Sequence, residues 1–246
     1  MNILKYIKNR LINLYILVVK MNINKLRNKD GKIWLNVASS TCFLEGFINI
    51  DNHIFLQMLK KIPFIKNLPI RFFPKSYQPL ISTYIDGMKS SSILQHDCRK
   101  PLNMPNNSAD HILCSHFLEH VYPDECSKIL DDFYRILKPG GGLHIIVPDM
   151  GLYVKNYLND NSSSAADTFI SQTILSKPTR GSIKFRFLEF FGGYGLLHHW
   201  MYDVKSMTIK IKKSGFFIQS DDLEHSPSYF FNLDDDSAHV NAVKKI

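Results

Sequence analysis

"ADHILCSHFLEHVYPDECSKILDDFYRILKPGGGLHIIV", residues 109–147, reads as a strand, a helix and a strand in succession. The apolar runs at 110–114 and 143–147 are short, as buried strands of a parallel sheet are. Between them Cys126, Ile129, Leu130, Phe133, Ile136 and Leu137 recur at helical spacing. Lys128, Asp131, Asp132 and Arg135 take the other face. Pro123 suits the first helical position, where no N–H is needed, and Gly140 or Gly141 is expected to end the helix. Such a run implies parallel strands with helices on both faces of the sheet.

The same alternation extends outward. Upstream, 33–38, 47–51 and 93–96 read as strands. Downstream, "SGFFIQS" (214–220) and "HVNAVKK" (239–245) read as two more, and "LDDDS" (233–237) would turn an antiparallel pair. Two segments interrupt the pattern. Residues 52–92 form an insertion after the second strand. Residues 151–200 follow the fifth strand, look mostly helical, and are expected to cap the active site. The polar run "DNSSSAAD" (160–167) suits a loop entering a helix N-cap.

The chain has 246 residues, 45% of them hydrophobic, enough for one large domain with a packed core. Cys42, Cys98, Cys114 and Cys126 show neither CxxC pairing nor metal-finger spacing, which suits reduced thiols in a cytoplasmic protein. The net charge of +8 is uneven: residues 1–32 carry eight basic side chains against Asp30, so the rest is nearly neutral. A neutral domain, 33–246, gives no reason to expect nucleic acid. The arm, 1–32, has an apolar run from Leu11 to Val19 between Arg10 and Lys20. Nine residues are too few to span a bilayer, which takes about 20. Two uses are open to the arm: a helix packed on the domain, or a basic amphipathic helix at the inner face of a membrane.

The stretch "LNVASSTCFLEGFINID" (35–51) decides which nucleotide the domain could hold. A nicotinamide site would want GxGxxG, a crossover helix and a more distant acid, and none is present. GxxxxGK[ST] is missing too, which excludes a P-loop. What remains is a tight turn of small residues, Ala38, Ser39 and Ser40, then Gly46, then Asp51 at the end of the next strand. A carboxylate there can accept hydrogen bonds from a ribose diol. Asp97 follows the third strand, with Cys98 beside it, and Ser115 and His116 follow the fourth. On an open parallel sheet these strand ends share one crevice.

The stretch 96–150 resembles the class I S-adenosylmethionine-dependent methyltransferases, specifically the type 11 group. The motifs that carry the resemblance are D-x-x-x-P-L-x-x-P-x-x-S-x-D from Asp97, S-H-x-L-E-H from Ser115, L-K-P-G-G from Leu137 and V-P-D from Val147. "HHWMYD" (198–203) and "KKSGF" (212–216) extend it. The resemblance implies a Rossmann-like sheet of seven strands, order 3-2-1-4-5-7-6, with strand 7 antiparallel. It implies S-adenosylmethionine as cofactor, bound by Ala38, Ser39, Ser40, Gly46, Asp51, Asp97, Cys98 and Ser115. The family usually has glycine where this chain has Ala38, Ser39 and Ser40. A non-catalytic interaction module with the same fold is the rival reading.

"HFLEH" (116–120) also matches the zinc-peptidase pattern H-x-x-E-H. Its context is wrong, because His116 follows a strand directly and Pro123 opens a new helix, so no metal is assigned. For methyl transfer to oxygen a base is needed near strand ends 4 and 5. Candidates are His116, Asp149, His198, His199, Tyr202 and Asp203, of which His116 and His199 are favoured. Asp203 suits a helix N-cap, and Asp149 a cap or a site. The acceptor is expected to be a small molecule or a saccharide; Lys177, Arg180, Lys184 and Arg186 read first as an ordinary solvated helix face, and alternatively as contacts to an anionic acceptor such as a phosphorylated sugar.

Overall fold

The computed structural model describes residues 28–53, 56–57, 67–90, 92–176, 197–219 and 236–245. The Leu11–Val19 run with its expected membrane contact, and the four basic residues of 177–186, lie outside them. Among the described residues no helix is long and apolar enough to cross a membrane. The strands are β1 (Trp34–Val37), β2 (Ile48–Asp51), β3 (Ser92–Gln95), β4 (Ala109–Ser115), β5 (Leu137–Pro148), β6 (Phe216–Ile218) and β7 (Ser237–Lys244). They form one sheet in the order β3-β2-β1-β4-β5-β7-β6. All pairs from β3 to β5 are parallel, and β7 runs antiparallel to both β5 and β6. The strand order and the direction of the seventh strand are those the family resemblance implied.

The helices are α1 (Gln78–Ser90), α2 (Pro123–Ile136), α3 (Met150–Asn159), α4 (Ala165–Thr173) and α5 (Val204–Lys213). α2 starts at Pro123, and Glu125 Oε2 accepts from the Tyr122 N–H at 3.0 Å just before it. It buries Cys126, Ile129, Leu130, Phe133 and Ile136, each larger side chain contributing about 2 kcal/mol. α5 is capped by Asp203, which accepts from the Ser206 N–H at 2.7 Å while Ser206 Oγ accepts from Asp203 N–H. This is the N-cap expected of Asp203.

Two expectations need correction. The α2 helix ends at Ile136, not at the glycines, and Leu137 already opens β5. Pro139 disfavours the helical region for Lys138, so the chain extends one turn early. Asp132 is not on a solvated face. It is 9% exposed, and its Oδ2 accepts from Leu102 N–H at 2.7 Å. Arg135 joins it and also donates to Leu102 O, Met104 O and Asn106 Oδ1, so the pair fixes the 102–106 loop.

The two faces of the sheet differ. One carries Leu35, Ile48, Ile112, Leu143 and Ala242 in one row and Val37, Ile50, Cys114, Ile145 and Val240 in the next. These residues share one core with the α2 and α5 side chains. The other face carries the row Asn49–Asn36–Leu113–His144–Asn241. Its polar members are buried, and so is His111. Gly142 stands opposite His111, and a Cβ there would sit 2.6 Å from the imidazole Nδ1. Glycine at 142 is what makes room for that ring.

Candidate active site at the carboxyl edge of the sheet

The carboxyl ends of β3, β2, β1, β4 and β5 come together along one edge. Register fixes their order: Gln95 lies beside Asp51, Ile50 beside Val37, Val37 beside Cys114, and Ser115 beside Ile146. Ala38 to Ser40 leave β1 at this edge, flanked by Asp51 on one side and Ser115 on the other.

The turn answers the question of the missing glycines. Ala38 has φ 57° and Ser40 φ 46°, both left-handed. The backbone therefore takes the form that glycine would take without strain, and two side-chain-bearing residues are held there. Left-handed backbone costs such residues about 1–2 kcal/mol each. Asp51 offsets part of this. Its Oδ2 accepts from the Ser40 N–H at 2.8 Å, and its Oδ1 from the His53 N–H at 2.6 Å. The far side of the loop is held by two buried amides. Asn36 Nδ2 donates to Cys42 O at 2.7 Å and to Asn49 Oδ1 at 2.9 Å, and Asn49 Oδ1 also accepts from Leu44 N–H at 3.0 Å. Ala38→Gly should therefore raise stability by about 0.5–1 kcal/mol, against the usual sign of that change. Urea denaturation checks it, and a loss of stability would contradict the strained turn.

The other residues expected at the cofactor site divide. Ser39 is buried, and its Oγ has no hydrogen-bond partner. Cys98 lies beneath the turn, 6% exposed, with its Sγ 3.8 Å from Ile50 O. Burial and the Asp51 charge push its thiol up to about 12, so it is a neutral packing group there. Asp97 is tied to its neighbour: Arg99 Nε and NH2 reach its two oxygens at 2.8 Å each. Burial raises the Asp97 pKa, but the Arg99 bonds and charge outweigh this and hold it below the usual range. Gly46 is placed elsewhere. It precedes the amino end of β2, so it lies at the opposite edge from Ala38 and Asp51. Tyr84, from α1, was not expected. It is fully buried and stacks on His53 with ring centroids 5.2 Å apart. Burial and the Asp51 charge raise its pKa. The unpartnered Ser39 hydroxyl in the turn that Asp51 closes fits a polar ligand such as a nucleoside.

The base candidates gather past β4. His116 is half exposed and has φ 51°, a strained backbone at the strand end. Its Nδ1 lies 3.5 Å from Glu119 Oε1, and its Nε2 3.4 Å from Ser237 Oγ. His199 comes to the same place through its backbone, donating to Glu119 O at 2.8 Å, and its ring stacks on Tyr122. His198 is buried against His120. Asp149 caps α3 by accepting from Gly151 N–H at 2.9 Å. Tyr202 is buried in the core, and its backbone pairs with Asp149.

This edge and sheet order already single out one fold class, and the chain's similarities fall within it. Residues 81–145 match a methyltransferase domain of type 11. The match spans α1 to mid-β5 and includes the third and fourth strand ends. No curated protein matches the chain. Among solved structures, an S-adenosylmethionine-dependent methyltransferase of Methanosarcina mazei is 16% identical, covering 87% of this chain and 92% of its own, with TM-score 0.47. One from Thermotoga maritima is 14% identical, covering 98% and 99%, with TM-score 0.47. Human N-acetylserotonin methyltransferase, solved with S-adenosylmethionine, is 13% identical over 87% and 48%, with TM-score 0.44. At these values the neighbours assign no substrate. The resemblance to class I methyltransferases of type 11 stands on the domain match and on the sheet order.

Proposed function

We propose that the protein is an S-adenosylmethionine-dependent methyltransferase acting on a hydroxyl of a small molecule or saccharide. The observation that carries this is the left-handed Ala38–Ser40 turn closed onto Asp51 at the carboxyl edge. Two readings of the altered turn are open, a working cofactor loop and a non-catalytic relic. The retained left-handed backbone and the unpartnered Ser39 hydroxyl favour the first. Asp51 would hold the ribose diol, and Ser39 the amino-acid end.

When bound, the cofactor supplies an electrophilic methyl group on a sulfonium. The chain's own residues then have to place the acceptor in line and take its proton. His116 is the better base of the two favoured histidines. Its Nδ1 faces the Glu119 carboxylate, which orients the ring and stabilises the charge it gains, so Nε2, 3.4 Å from Ser237 Oγ, is the nitrogen that would take the acceptor's proton. The His199 ring is engaged by Tyr122 instead.

Calorimetric titration with S-adenosylhomocysteine should show one site per chain. No heat at millimolar ligand would sink the cofactor reading. With binding intact, His116→Asn should lower turnover by about 10²–10⁴-fold and leave the affinity for S-adenosylhomocysteine unchanged.

A further inference from the structure

Beside the proposed base lies a cluster of which methyl transfer uses only Glu119, as the partner of His116. Glu119 is 1% exposed, yet neither carboxylate oxygen has a hydrogen-bond partner. Such a group is costly unless something charged approaches it. His120 Nε2 stands 3.7 Å from Glu119 Oε1, too far for a hydrogen bond. It is the right separation for two ligands of one ion. Bonds of about 2.0–2.2 Å at a tetrahedral angle put ligand atoms roughly 3.4 Å apart. His198 completes the set: one ligand atom from each of Glu119, His120 and His198 lies within 4.8 Å of the others. The two imidazoles meet edge to face with centroids 4.8 Å apart.

The surroundings prepare these side chains to bind a cation. His120 Nδ1 lies 3.0 Å from Leu197 O, so Nδ1 carries the proton and donates. The Nε2 lone pair is then aimed at Glu119, the arrangement in which a backbone carbonyl orients a metal-bound histidine. All three residues sit on fixed backbone. The Glu119 carbonyl accepts from His199 and Trp200 N–H, at 2.8 and 3.1 Å, and so ties the His120 turn to the segment that carries His198.

We infer that Glu119, His120 and His198 form a binding site for one divalent ion of the manganese-to-zinc series. One carboxylate and two imidazoles suit such ions better than calcium or magnesium, which prefer all-oxygen sites. Three protein ligands leave a coordination position open. The set differs from the H-x-x-E-H reading, in which His116 and His120 are the ligands and Glu119 is a base. Here Glu119 is itself a ligand and His198 replaces His116. The inference stands apart from methyl transfer, because it is read as metal content without cofactor or acceptor.

The test uses the untagged full-length chain, dialysed against chelator and titrated with Zn²⁺, Mn²⁺ and Co²⁺. Bound metal is measured by mass spectrometry, and Co²⁺ geometry by its visible absorption. About one ion per chain is expected. Glu119→Gln and His198→Asn should each weaken binding by more than about tenfold, and His116→Asn by less. Glu119 is deeply buried, so circular dichroism accompanies each variant. If Glu119→Gln fails to fold, His198→Asn alone decides. Absence of a stoichiometric ion, or binding unchanged in His198→Asn, overturns the site. Loss in His116→Asn but not in His198→Asn overturns it in favour of the H-x-x-E-H pair.

Discussion

Lowering the pH from 7.5 to 5 should cost the fold about 4 kcal/mol, through His111 and His144. Both imidazoles are buried on the polar face of the sheet. Burial, with the nearby His144, pushes His111 from the usual 6.5 down to about 3. Burial, with the nearby His239, pushes His144 down to about 4. His144 Nε2 lies 3.2 Å from His239 Nδ1, and the Trp34 ring meets His111 edge-on with centroids 6.4 Å apart. In the unfolded chain both titrate near 6.5. The unfolded state therefore binds more protons below that pH, and stability falls as pH falls. The contribution is complete above 6.5. At pH 5 each histidine has lost about 2 kcal/mol, and the loss continues toward the folded values. This window lies above the ordinary carboxylate range, which separates it from general acid denaturation. Urea denaturation at half-unit steps between pH 5 and 7.5 reads the slope. His144→Gln should remove about half of it. A flat profile would show that these rings are hydrated.

The pH response could not be read from the sequence, and the reason is local. "ADHILCS" and "LHIIV" look like apolar strands with one stray histidine each. Periodicity finds such strands but does not say that two histidines fall on one face in neighbouring strands. The strands themselves were legible because buried parallel strands are short apolar runs, and α2 was legible because its apolar spacing is unbroken. Strand order came from the family resemblance, not from any spacing. The site was legible in part. Asp51, Ser115 and His116 end strands, and the alternation of elements puts strand ends on one edge. Asn36 and Asn49 were missed because a lone asparagine in a strand carries no signal until its partner across the ladder is known. Glu119 and His198 were missed as a pair because nearly 80 residues separate them. Composition also misleads at Ala38, where only the backbone shows that a left-handed turn survives without glycine.

Asp51→Ala should weaken S-adenosylhomocysteine binding by about 3 kcal/mol, more than about a hundredfold, whereas Asp97→Ala should cost less than about tenfold. On sequence the two acids look equivalent, each at the end of a strand. Their hydrogen bonds separate them. A carboxylate has about four acceptor positions. Asp51 spends two on the Ser40 and His53 N–H groups, one on each oxygen. Each oxygen thus keeps a lone pair for one hydroxyl of a ribose diol, in bonds strengthened by its charge. Removing the side chain takes those bonds away and also releases Ser40 from the strained turn that shapes the pocket. Asp97 is already engaged by the Arg99 guanidinium and by the Arg99 N–H, with Lys100 Nζ 3.6 Å away. Its charge is answered within the chain, so its part is to fix the loop after β3. Asp51→Asn should behave like Asp51→Ala, because an amide cannot accept from both N–H groups at once. Calorimetry gives the affinities, and thermal melts without ligand show whether each variant keeps its fold. Equal losses in the two alanine variants, or a larger loss at Asp97, would move the nucleoside contact from β2 to β3.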